Sequence, residues 1–161
     1  TSNPANGTVN VTNIETDART AELGLWNNDI PVIAPAWLMA PRTLAYLRDL
    51  RDGNGNLYYP SLQGSSPSWR GFPVGFTNSI PVNLGGGTNE SEVYLVDFAY
   101  VMIADSYSVK IDASESASYK VGGTMVSAFS QNQTVIRALT GHDFAVTRPK
   151  AVSLITAVKW F

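Results

Sequence analysis

Residues Trp37–Leu62 read WLMAPRTLAYLRDLRDGNGNLYYPSL. The apolar start belongs to a short run, Val32 to Met39, which fits a buried strand. Pro41 cannot donate to a ladder but suits the first position of a helix. Leu44, Leu47 and Leu50 then recur at helical spacing, so a helix is expected from Pro41 to Arg51. Arg48 and Arg51 fall near its negative C-terminal end, and Gly53 is available for a left-handed cap. Trp37, Leu44, Leu47 and Leu50 are the expected core of this segment.

Asp52-Gly53-Asn54-Gly55-Asn56 poses a choice between a ligand loop and a turn. A helix–loop–helix calcium site needs oxygen ligands at positions one, three and five, Gly at six and a bidentate Glu at twelve. Counted from Asp52, position six is Leu57 and position twelve is Gln63. Both fixed points fail. Asp-Gly and Asn-Gly tolerate positive φ, so the stretch is read as a turn.

Upstream, Thr1 to Val11 is rich in Asn, Gly, Ser and Pro, and is expected to be a mobile lead-in. Thr12 to Glu15 fits a capping box, followed by Ile14, Ala18, Ala21 and Leu25 at helical spacing, so a helix is expected over Glu15–Trp26. Downstream, strand composition marks Phe72–Phe76, Val93–Val96, Tyr100–Ile103, Tyr107–Ile111, Thr134–Val146 and Val152–Trp160. Tyr107, Val109 and Ile111, and again Val152, Leu154, Val158 and Trp160, alternate as strands with one buried face do. Phe72 joins the expected core. The fold class is α+β, a mainly antiparallel sheet flanked by a few helices.

A length of 161 residues suits one ordinary domain burying roughly 70% of its unfolded surface. No apolar run reaches the ~20 residues of a membrane-spanning helix, so a soluble chain is expected and a membrane is not a partner. Thirteen acidic groups against eleven Lys and Arg give a formal charge of −2. The basic residues are scattered, which argues against sequence-specific nucleic-acid binding. With no cysteine and a single histidine, disulfides, thiolate chemistry and zinc are not expected. The chain begins Thr1-Ser2-Asn3-Pro4, without an initiating Met or a signal core, and is read as a trimmed fragment or mature product.

Catalytic candidates are few. His142, in Gly141-His142-Asp143, falls inside a strand-like run, where a structural partner is commoner than a catalytic role. Glu90, Glu92 and Asp97 are the carboxylates to test for a paired-acid site, against a reading as loop and turn residues. Gly85-Gly86-Gly87 is followed by Thr88-Asn89, not by the Lys-Ser or Lys-Thr of a phosphate loop. No catalytic residue, metal ligand or cofactor site is expected.

What remains distinctive is architectural. Ala36-Trp37-Leu38-Met39-Ala40-Pro41, Leu44 with Leu47, Asp52 to Leu57 and Gly71-Phe72-Pro73-Val74 come in one order. Ile80-Pro81, Val93 to Phe98 with Tyr100-Val101, Phe129-Ser130 with Gln133 to Arg137, and Asp143-Phe144 with Pro149 and Ala151 come after them. Over residues 12–160 this order resembles the tailed-bacteriophage major capsid protein family of the Hong Kong 97 type. The resemblance implies the C-terminal portion of a shell subunit: an axial domain plus strands of a peripheral domain. The expected division is a lead-in over 1–11, the main part of the axial domain over 12–105, and peripheral strands returning to the axial domain over 106–161.

By the same resemblance the function is structural, not enzymatic. The subunit joins copies of itself in pentamers and hexamers to enclose DNA in a phage or prophage capsid, assembled in the bacterial cytoplasm and carried in the virion. A scaffolding protein or maturation protease is the implied partner in the full-length context. The loop with Asn83, Gly85, Gly86, Gly87, Asn89 and Glu90 is expected at the capsomer axis, mobile without neighbours. The loop with Tyr119, Lys120, Gly122 and Gly123 is expected at three-fold contacts.

The arm, extended loop and spine helix that precede this region in the family are not in the sequence, so self-assembly of this chain alone is not expected. Asn132 resembles the acceptor of an inter-subunit isopeptide bond. Leu139 stands where the assisting acid belongs, however, and no crosslink is expected. An encapsulin-like compartment shell is an alternative of the same fold. From a different class, a small β-rich carbohydrate-active or carbohydrate-binding domain would use Trp69, Tyr58 and Tyr59 as sugar platforms.

Overall fold

The structure, a computed structural model, describes residues 1–161 apart from the side chains of 106–108. Two compact units divide at 101/102 and 145/146, one built from 1–101 with 146–161 and the other from 102–145. The first boundary falls four residues before the expected 105/106. It lies at the start of one continuous strand, so no linker composition marks it.

In the first unit, helix α1 spans Val11–Trp26. Its cap is Asn10, whose Oδ1 accepts from the Asn13 N–H at 2.8 Å. The cap therefore lies two residues before the expected Thr12, the helix starts four residues before the expected Glu15, and the Glu15 carboxylate is engaged elsewhere, by Tyr59 and Arg70. Ile14, Ala18, Ala21 and Leu25 form the buried stripe that their spacing predicts.

The lead-in is corrected. Ser2–Pro4 is a strand, β1, and the Thr1 ammonium donates to the Val152 carbonyl at 2.9 Å. Asn6 donates its backbone N–H and its side-chain amide to the buried Asp17 carboxylate at 3.0 and 2.5 Å. Ladder bonds come from the backbone, so a polar segment pairs as well as an apolar one when an edge is free. Burial holds the Asp17 carboxyl above its usual range, against the two Asn6 hydrogen bonds.

A six-stranded sheet supports both helices. Its members are β1, β2 (Pro35–Met39), β3 (Ser68–Trp69), β4 (Phe72–Phe76), β5 (Ser91–Asp97) and β10 (Val152–Val158), in the order β1-β10-β5-β2-β4-β3. The β10–β5, β5–β2 and β4–β3 pairs are antiparallel, while β1–β10 and β2–β4 are parallel. The class is thus α+β with a mixed, mainly antiparallel sheet.

Helix α2, Pro41–Asp49, starts with Pro41 at its first position. Leu44 and Leu47 are buried, whereas Leu50 and Phe72 are only partly buried against the core. The helix stops two residues early because Leu50 turns extended, and the left-handed residue of the turn is Gly55, φ 85°, not Gly53. Asp52 organises that turn: its Oδ1 accepts from the N–H groups of Asn54 and Asn56, and its Oδ2 from the Asn56 amide. These bonds, the Asn56 side chain first, hold the Asp52 carboxyl below the usual carboxylate range. Arg48, in the last turn of the helix, donates Nε to the Leu62 carbonyl at 2.8 Å.

Strand β10 corrects a phase. The expected inner set is Val152, Leu154, Val158 and Trp160. Instead Ser153 and Ile155 are buried, and then Val158 and Trp160. A bulge between Ile155 and Val158, with Ala157 at φ 58°, shifts the inward parity by one residue. Val152 and Leu154 are half-buried on the other face.

The second unit has two strand pairs. Strands β6 (Val101–Ser114) and β9 (Val135–Val146) make a long ribbon, and β7 (Ser118–Val121) with β8 (Thr124–Ser127) a hairpin. Gly122 and Gly123, φ 54° and 89°, form the two-residue turn of that hairpin, where positive φ at both positions matches strand twist. The one-sided burial expected of Tyr107, Val109 and Ile111 is not found within this chain. Val109 and Ile111 are 61% and 68% exposed, because a ribbon is a single layer with no second one to cover it. The Tyr107 side chain lies outside the described residues.

Trp37 is fully buried beside Trp69, ring centroids 4.7 Å apart. Trp37→Ala is expected to cost about 3–5 kcal/mol of stability, measured by denaturant unfolding. A wild-type midpoint would contradict this core.

Candidate interaction surfaces

Two surface loops carry the residues singled out from sequence. The first joins β4 to β5. Ile80 anchors its entry in the core, and the Ser91 hydroxyl donates to the Pro81 carbonyl at 2.9 Å. Leu84 and Glu90 exchange both backbone hydrogen bonds, at 2.9 and 3.0 Å, closing the base of a loop whose tip, Gly85–Asn89, is exposed. The loop is therefore outside the chain's own core.

Of the three glycines, only Gly85 has positive φ, 73°. A Cβ there would overlap the Glu90 carboxylate, whereas Gly86 faces open space. Glu90 meets Lys159 at 3.3 Å, and Arg42 donates to the Asn89 carbonyl at 3.2 Å. Lys159 and Arg42 are not anticipated from sequence, since neither is near the loop along the chain.

The second loop is the β7–β8 hairpin together with the segment 128–134 that leads from it to β9. The Tyr119 hydroxyl donates to Gln133 Oε1 at 2.5 Å, fixing the hairpin stem. Lys120 is exposed, as are Gly122 and Gly123 at the tip. Ala128 is buried and ties the hairpin to its base, donating to the Ala117 carbonyl and accepting from Gln131 and Gln133 N–H groups. Phe129 is 82% exposed, and Asn132, at φ 50°, is exposed beside it. Glu115, Ala128, Phe129, Asn132, Gln133 and Thr134 line a shallow depression of about 270 Å³.

The chemical candidates do not converge. Asp97 is buried and accepts from the N–H groups of Ile33, Ala34 and Ala99, a structural role. Glu92 accepts from the Tyr94 hydroxyl, and Glu90 is paired to Lys159. His142 is exposed on β9. Among the described residues, no group of three His, Asp or Glu could hold a metal, and no helix is long and apolar enough to cross a membrane.

The sugar-platform reading loses its aromatics: Trp69 is fully buried and Tyr59 nearly so, leaving only Tyr58 exposed. A feature missed from sequence explains Tyr59. Arg70, at φ 52° in the β3–β4 turn, bridges Glu15 and Glu22 of α1, while Tyr59 donates to Glu15. The adjacent Gly71, also at positive φ, is the only local sign of that turn.

A six-stranded sheet carrying two helices, a long strand ribbon and exposed loops make up an α+β fold. Residues 3–157 match the phage capsid family, and the chain belongs to that family. It is 39% identical over 155 residues to the major capsid protein of Klebsiella oxytoca phage phiKO2, covering 96% of this chain and 36% of that protein. Solved structures share the fold at low identity. Gordonia phage Cozz matches with a TM-score of 0.63 at 14% identity, covering 96% of this chain and 48% of the other. Mycobacterium phage Cain gives 0.63 at 15%, covering 96% and 50%, and the capsid of an empty GTA particle 0.61 at 14%, covering 96% and 48%. The chain thus spans about a third to a half of the length of these relatives.

Two outcomes check the loop geometry. Gly85→Ala is expected to cost about 1 kcal/mol and to speed amide exchange at Leu84 and Glu90, while Gly86→Ala leaves both unchanged. Equal effects at the two positions would refute it. Separately, burial and then the Glu92 contact push the Tyr94 phenol up to about 12. An unfolded phenol ionises near pH 10, so this contribution to stability is intact below about pH 10 and is lost as pH rises through 12. Tyr94→Phe should flatten the decline of Tm over that range, and an unaltered slope would count against the pairing.

Proposed function

We propose that this chain is the C-terminal portion of a structural subunit of an icosahedral phage or prophage shell, which self-associates into pentamers and hexamers around DNA and has no enzymatic role. The observation that carries the reading is 39% identity to a major capsid protein along 96% of the chain. The unit formed by 1–101 with 146–161 corresponds to the axial domain, and 102–145 to the peripheral strands. The loop over Asn83, Gly85, Gly86, Gly87, Asn89 and Glu90 meets its copies at the capsomer axis, and an exposed tip over a hydrogen-bonded base suits that place. The hairpin with Tyr119, Lys120, Gly122 and Gly123 meets copies at three-fold positions, supported by exposed Lys120 and Phe129 on a stem fixed by Tyr119. Assembly takes place in the bacterial cytoplasm, with scaffolding or protease partners acting on the full-length protein, and the product is part of the virion.

Electron microscopy of the full-length protein expressed with its scaffolding partner tests the reading, with closed icosahedral particles expected. A folded subunit that forms no shell under those conditions would overturn it. For the hairpin, Lys120→Glu should lower particle yield by about tenfold or more while circular dichroism of the subunit is unchanged, since a reversed charge at a repeated contact is counted once per copy. Wild-type yield would remove the hairpin from the three-fold contact.

A further inference from the structure

We infer that Lys159–Phe161 is a latch, built within one chain, that fixes the glycine loop and cancels the charge of Glu90. Trp160 is buried and anchors the segment, while Lys159 and Phe161 on either side of it remain exposed. Lys159 Nζ lies 3.3 Å from Glu90 Oε1. The Phe161 ring lies under the Arg42 guanidinium, 4.2 Å from centroid to Cζ, and Arg42 Nη2 donates to the Asn89 carbonyl. Arg42 Nε is buried without a hydrogen-bond partner, so the ring's π-face and the one carbonyl carry the contacts of this cation.

The two ends of the latch thus reach neighbouring loop residues, Lys159 directly to Glu90 at the base and Phe161, through Arg42, to Asn89 at the end of the tip. Glu90 in turn lies over Gly85, the one glycine whose φ requires glycine. The consequence for assembly rests on the capsomer-axis position proposed for this loop. Copies of Glu90 crowded round an axis repel one another at separations within a Debye length of ~8–10 Å. A lysine paired to it in the same chain neutralises each copy before the copies meet, so no external cation is needed.

Amide exchange and particle yield of the full-length protein test the two parts separately. Lys159→Gln and Phe161→Ala should each speed exchange at Leu84, Thr88 and Glu90 by roughly two- to fivefold, as loss of a partly exposed contact predicts. Amides of β5 should not change, and Lys159→Arg should behave as wild type. Unchanged loop exchange in both variants overturns the latch. Lys159→Glu should lower particle yield, and adding Glu90→Lys should restore it. Reduced yield without restoration overturns the charge pairing. Faster loop exchange with wild-type yield in Lys159→Glu leaves the latch standing and defeats the axis reading instead.

Discussion

Trp69 holds the first unit together. Trp37 of β2 lies 4.7 Å from it, and Tyr59 and Trp160 each 6.0 Å, centroid to centroid, the last two edge-on. These rings come from four separated segments, one of them beyond the point where the chain has run out through the ribbon and back. Edge-to-face contact adds about 0.5–1.5 kcal/mol per pair to the burial of such large side chains. The return of residues 146–161 is therefore fixed by packing as well as by the β10–β5 ladder. Surface segments of this unit are positioned from that cluster: Trp160 places Lys159 and Phe161, and Tyr59 meets the Glu15–Arg70–Glu22 group that ties α1 to the β3–β4 turn.

The helices and central strands were legible because their signals are local. Pro41 marks a helix start by chemistry internal to one residue, and Ile14, Ala18, Ala21 and Leu25 state a buried stripe by spacing alone. The Asp52–Asn56 turn was legible for the same reason, since one carboxylate within it accepts all three of its side-chain-directed bonds from Asn54 and Asn56. What failed depended on distant partners. Residues 2–4 pair with β10 through backbone atoms that composition does not describe. The inward face of β10 changes parity at a bulge, and alternation read over Val152–Trp160 assumes that none intervenes. Of the surface residues, the loops themselves were visible through their glycines, but Arg42 and Lys159 were not, because their role exists only once α2 and the chain's last residues lie beside the loop.

The ribbon shows a different limit. Ile103, Val109 and Ile111 alternate on β6, as a half-buried strand requires, yet each is more than 60% exposed. On the same strand Asp112, of the opposite parity, takes Arg137 of β9 at 2.8 Å. The odd-numbered face is thus largely apolar, Asp105 excepted, and the other carries the ion pair, in a two-stranded element that is marginal by itself. Alternation reports what a face is made for, not what covers it. In the first unit the cover is the chain's own helices, so the pattern and the observed burial agree. In the second they part company, and these apolar residues of β6 stay exposed within their own unit.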